Sequence, residues 1–134
     1  MNKDILTIIS NKLLMAIQFE DLVDSVETPK LKRILSNIAK QEDLILDKIM
    51  TYAKSKEVEI PKSEREFTNL ANITLIDKEN GDDEIVSKLI EQKNKLIEFY
   101  KDFLYITDSH TLTRMIEKAV DLEYKHISGL MEFL

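Results

Sequence analysis

With 134 residues, 43% apolar and 33% charged, the chain is long enough for one domain with a proper core and too apolar for a disordered segment. A formal net charge of −6, with both signs interspersed, leaves no basic stripe for a phosphate backbone, so no nucleic-acid partner is expected. The absence of cysteine excludes a disulfide partner, zinc ribbons, iron–sulfur clusters and thiol catalysis.

Only two glycines and two prolines stand among many Lys, Glu, Leu and Ile residues, which favours an all-α chain. No segment approaches ~18 uninterrupted apolar residues, and Asp4, Asn11 and Lys12 interrupt the first apolar run. Neither a membrane span nor a signal peptide is therefore expected, and a cytoplasmic location is the default. The first helix is predicted over residues 2–26, with Ile5, Ile9, Ala16, Phe19, Val23 and Val26 in a heptad seam that also holds Lys12. Glu27-Thr28-Pro29 breaks it, Thr28 serving as a cap and Pro29 filling a first-turn position that needs no amide hydrogen. A second helix over 29–54 follows, with Leu31, Leu35, Ile38, Ile45, Ile49 and Tyr52 in its seam and Glu42 in mid-course.

Residues 55–82 lose helical periodicity and are predicted to form a long crossover running the length of a bundle. Ser63 and Glu66 have capping-box spacing, which places a short helix over 63–71 within it. Asp82 or Asp83 is expected to cap a third long helix, 83–107, whose seam of Val86, Ile90, Ile97, Tyr100, Leu104 and Thr107 encloses Lys93. After Asp108-Ser109 the fourth, 109–133, carries Leu112, Ile116, Ala119, Leu130 and Phe133, with Glu123 and His126 among them.

One offset of 81 positions superimposes the two hairpins: Lys12 on Lys93, Ala16 on Ile97, Phe19 on Tyr100, Leu35 on Ile116, Glu42 on Glu123 and Ile49 on Leu130. Each of the four charges lies 14 to 16 residues from its hairpin turn, roughly 21 to 24 Å along a helix at 1.5 Å per residue. All four are thus expected in one layer at mid-bundle.

Glu123 and His126 form a Glu-x-x-His pair that leaves one helix face, and Phe19 and Tyr100 each precede a glutamate, Glu42 or Glu123, by 23 residues. On these residues the chain resembles the ferritin-like superfamily, and the rubrerythrin branch most closely, over nearly its whole length. The resemblance implies a ferritin-like four-helix bundle of two hairpins joined by a crossover, with a di-metal carboxylate centre in its core. It also implies metal ligands at Glu42, Glu123 and His126, with iron or another divalent metal as the cofactor. The pattern departs where the glutamates of the first and third helices would stand, because those positions are Lys12 and Lys93, and Ile45 replaces the histidine paired with Glu42.

A protonated lysine is no metal ligand, so two lysines invert the electrostatics of such a centre. Ion pairs Lys12–Glu42 and Lys93–Glu123 would then satisfy the layer without metal. Three functions follow as alternatives: a structural or interaction bundle, with homo-oligomerisation within its scope; a metalloprotein using Glu42, Glu123 and His126 in peroxide, oxygen or iron handling; and a small-molecule or lipid-binding bundle. The first is preferred, with no catalytic residue and no bound cofactor. Serine-nucleophile and phosphate-loop motifs are absent. Glu20, Asp24, Asp47 and Glu98 are considered as substitute ligands, Met15, Met50, Met115 and Met131 as packing residues, and His110 as a solvated residue at a helix start.

Overall fold

A computed structural model describes residues 2–134. Strong helix formers with few interrupting Gly or Pro give α1 (Asn2–Ser25), α2 (Pro29–Ser55), α3 (Glu64–Leu70), α4 (Asp82–Ile106) and α5 (His110–Phe133). Among the described residues there is no strand, and no helix is long and apolar enough to cross a membrane. Helices α1 and α2 pack as one hairpin, α4 and α5 as the other, and α2 lies against α5.

The register between hairpins can be read from side-chain bonds. Tyr52 Oη lies 2.8 Å from Ser109 Oγ, and His126 Nε2 lies 2.7 Å from Gln41 Oε1, so α2 and α5 run antiparallel. Gln18 Nε2 donates to Gln92 Oε1 at 2.9 Å while Thr28 meets Asp82, which makes α1 and α4 antiparallel as well. It follows that α2 and α4 are parallel, as a crossover between them requires.

Two helix starts are built differently from expectation. Thr28 precedes α2 but its side chain makes no capping bond there; its amide and hydroxyl both donate to Asp82 Oδ2, at 2.9 and 2.6 Å. Asp82 is the first residue of α4 rather than its cap, a position held by Gly81, and its other oxygen accepts from the Glu27 amide at 3.1 Å. The reason is tertiary: the α1–α2 turn abuts the start of α4, and one carboxylate satisfies three donors there. The Thr28 hydroxyl bond is the main cause of a lowered Asp82 pKa. Ser63 and Ser109 do cap α3 and α5, accepting from the amides of Glu66 and Leu112 at 3.2 Å. Glu66 reaches back to the Lys62 amide, one residue beyond the Ser63 amide that a capping box would use. Helix α2 closes with Val58 N–H on Ala53 O and Glu57 N–H on Lys54 O, the Schellman pattern, with Glu57 at φ 59°.

Helix α1 buries a wider face than a heptad seam allows. Ile8, Met15 and Leu22 are fully buried beside Ile5, Ile9 and Phe19, whereas the seam residues Ala16 and Val23 are only half-buried. The crossover explains this, because α3 packs on α1 and the extended residues after it cover the α1–α4 seam. Buried side-chain amides hold that segment: Asn11 exchanges two bonds with Asn72, Gln18 Oε1 accepts from the Ile76 amide at 2.9 Å, and Gln92 donates to Thr74 O at 2.9 Å. These bonds satisfy backbone groups that an irregular segment would otherwise leave unpaired where it is covered.

Candidate functional site

The repeat places Lys12, Glu42, Lys93 and Glu123 on the inward faces of four different helices, and all four are buried at one level of the core. Every cation meets every anion. Lys12 Nζ pairs with Glu42 Oε2 and lies 3.0 Å from Glu123 Oε1. Lys93 Nζ lies 3.2 Å from Glu42 Oε1 and 2.9 Å from Glu123 Oε2. The expected pairs within each hairpin are thus present together with both cross-pairs, so the quartet ties α1–α2 to α4–α5 through hydrogen-bonded charges.

The aromatics complete a pseudo-twofold arrangement. The Lys12 ammonium stands 5.4 Å from the centroid of Tyr100 and the Lys93 ammonium 5.6 Å from that of Phe19, each cation against the ring of the opposite hairpin. Tyr100 is fully buried, and its hydroxyl has no hydrogen-bond partner among the described residues. Burial pushes its pKa up, so it stays neutral.

The twofold breaks at one place, where the repeat puts Ile45 opposite His126. His126 Nδ1 lies 3.2 Å from Lys93 Nζ and 3.6 Å from Glu42 Oε1, while Nε2 faces Gln41 Oε1. An ammonium can only donate, so Nδ1 accepts and the proton sits on Nε2, donated to Gln41; this assignment follows from the network. Burial, with the Lys93 charge beside it, lowers the His126 pKa against the pull of Glu42, which keeps the ring neutral. One ligand atom from each of Glu42, Glu123 and His126 lies within 4.8 Å of the others. The three residues that sequence reading proposed as ligands do converge, and Lys93 Nζ is bonded to all of them.

Burial alone would push Lys12 down, but Glu123 and Glu42 hold its pKa well above the usual lysine value. Burial would push Glu42 up, but Lys12 and Lys93 hold it well below the usual carboxylate range. Glu123 goes the other way, raised by burial with the Glu42 charge added. Stability is therefore expected to fall on acidification in two steps. His126, depressed in the folded state, contributes stability that is complete above its ordinary 6.5 and lost as pH falls through the folded value. Glu42 contributes stability that is complete above 4.5 and lost below it, while Glu123, with the opposite sign, offsets part of that loss. Urea unfolding from about pH 8 down to about pH 3 checks this, and the upper step should vanish in His126→Gln.

Glu20, Asp24, Asp47 and Glu98 are all exposed and contribute nothing to the layer. His110 is exposed at the start of α5. Sequence reading overlooked Gln41, Gln18 and Gln92. A signal was present for the last, since the 81-residue offset aligns Gln92 with Asn11, amide on amide, and both turn out to brace the crossover.

No family model matches the chain, and no curated protein matches it. Solved structures do. It is similar to Dps from Thermosynechococcus elongatus, at 12% identity and a TM-score of 0.89, over 98% of this chain and 88% of that one. A dodecameric thioferritin, the bacterioferritin-related protein from Bacteroides fragilis, matches at 13% identity and 0.91, over 98% and 82%. Dps from Listeria innocua matches at 14% identity and 0.89, over 99% and 95%. At such identities the likeness speaks for the path of the backbone, and with the two hairpins and their crossover it establishes that the chain folds as a ferritin-like four-helix bundle.

Proposed function

We propose that this is a ferritin-like bundle whose di-metal centre has been replaced by an internal ion-pair cluster, and that it serves as a non-catalytic structural or interaction protein. One observation carries the reading: Lys93 Nζ directs its three possible N–H bonds at Glu42, Glu123 and His126, the residues that would otherwise hold a metal ion. The ammonium stands where the cation would stand. Two lysines balance two glutamates, so the layer is neutral with a neutral His126, and no carboxylate charge is left over to offset a divalent ion. The donor set does not fit a pair of metal ions, which needs several free carboxylates.

The reading extends to a cytoplasmic, self-associating protein. The thioferritin with the same fold is a dodecamer, which supports the second part. A rubrerythrin-like metalloprotein is the competing reading. It is favoured by the convergence of Glu42, Glu123 and His126 within 4.8 Å, which would accept iron or another divalent ion if Lys93 swung away.

Elemental analysis of protein purified without a metal-affinity tag, followed by anaerobic iron(II) titration, separates the two. The expected outcome is substoichiometric metal and no saturable uptake. One equivalent of iron, lost in Glu123→Ala and His126→Ala, would overturn the ion-pair reading and establish a mononuclear site.

A further inference from the structure

A groove of about 420 Å³ lies on the outer surface between α2 and α5; none of the quartet lines it, although Gln41, the partner of His126, does. Leu44, Ile45, Met115 and Leu122 line it, and Leu44 is exposed. Lys48, Arg114 and Lys118 line it too. The antiparallel register set by Tyr52–Ser109 and Gln41–His126 places Lys48 across from residues 113–119, so the three cations gather at one end. Lys125 lies at the other end, and Asp121 stands between, one helical turn from both Lys118 and Lys125.

Two features let this cationic end receive an anion. The chain carries a net charge of −6, yet the three side chains form a local concentration of positive charge. Among the described residues none of Lys48, Arg114 and Lys118 has a carboxylate within 4.0 Å, as is true of most surface cations here, so their charges are available to an anion in the groove. The arrangement is an apolar trough with an excess of cations at one end, roughly 10 to 16 Å long by the helical rise of the residues that line it. That length and volume suit a single extended chain.

We infer that the α2–α5 groove binds a long-chain carboxylate, its acyl chain along Leu44, Ile45, Met115 and Leu122 and its carboxylate held by Lys48, Arg114 and Lys118. Arg114 supplies a planar fork that matches a carboxylate, and the two lysines add charge without fixed geometry. Gln41 lines the groove and bonds His126, but the side chains proposed to hold the ligand are outside the quartet, so this test and that of the ion-pair reading succeed or fail separately.

Isothermal titration with dodecanoate below its micelle concentration tests the assignment on the full chain. Saturable one-to-one binding is expected, with dodecanol roughly tenfold or more weaker because it lacks the charge. Arg114→Gln/Lys118→Gln should weaken dodecanoate by roughly tenfold or more, and Leu44→Asp should abolish it. All three positions are exposed, so wild-type melting temperatures are expected. Absent binding, equal affinity for dodecanol, or dodecanoate binding unchanged in both variants would overturn the proposal. So would self-association of the wild type, measured by sedimentation, that disappears in Arg114→Gln/Lys118→Gln while dodecanoate fails to bind; the groove would then belong to a second copy of the chain.

Discussion

Lys12→Met, studied without added metal, is expected to lower the unfolding free energy by ~3–5 kcal/mol. Methionine fills much of the lysine volume, so the loss does not come from a cavity. It comes from Glu42 and Glu123, both buried, which lose one of the two ammonium partners they share and remain beside each other with like charge. For a chain of this size the melting temperature should fall by about 10–20 °C. The exposed Lys101, which donates to the Tyr124 hydroxyl and stands over its ring, is the control, and Lys101→Met should stay within about 0.5 kcal/mol. Replacing the entire quartet by apolar residues of similar size should restore most of what Lys12→Met removes, because desolvating four charges is itself costly. Chemical denaturation of the three variants measures all of these differences. A neutral Lys12→Met would mean that water reaches the layer and screens it.

Lys93→Ala is expected to be comparably destabilising and, unlike the wild type, to respond to metal. Removing that side chain deletes the ammonium from the midst of Glu42, Glu123 and His126 and leaves space, an uncompensated negative charge and three converging donors. These are the conditions under which a divalent ion binds the folded chain in preference to the unfolded one. Zinc(II) at one hundred times its dissociation constant would return about 2.7 kcal/mol. Thermal melts against zinc concentration should show a saturable rise for Lys93→Ala and none for the wild type, and the rise should be lost when His126→Ala is added. A variant that stays folded yet shows no response would mean that the three ligand atoms do not close on one ion. A response of the wild type itself would favour the metalloprotein reading.

The four charges of the central layer could be read from the sequence because the repeat is exact in its spacing where it matters. Lys12 with Lys93 and Glu42 with Glu123 obey one offset, and a helix converts equal residue counts from a turn into equal heights in the bundle. What could not be read was the partner choice. Periodicity indicates which face a side chain leaves, but not whether an ammonium reaches the glutamate of its own hairpin or of the other, and here it reaches both. The role of Lys93 as the neighbour of all three candidate ligands belongs to the same class, since it depends on how deeply four helices interlock. Residues 71–77 were opaque for a related reason. The backbone groups of Asn72, Thr74 and Ile76 bond to Asn11, Gln92 and Gln18, at sequence distances where no local pattern operates.

Composition, helical periodicity and the internal repeat by themselves determined an all-α chain of two hairpins with a long crossover and a mid-core layer holding Lys12, Glu42, Lys93 and Glu123, because helix formation and apolar patterning are local properties of the chain. Only the tertiary structure decided that these charges close into a single quartet, that Asp82 ties the α1–α2 turn instead of capping α4, and that α2 and α5 leave a groove with one cationic end. Each of those outcomes depends on the relative depth and register of helices distant in sequence, which are set by packing and desolvation of the whole core.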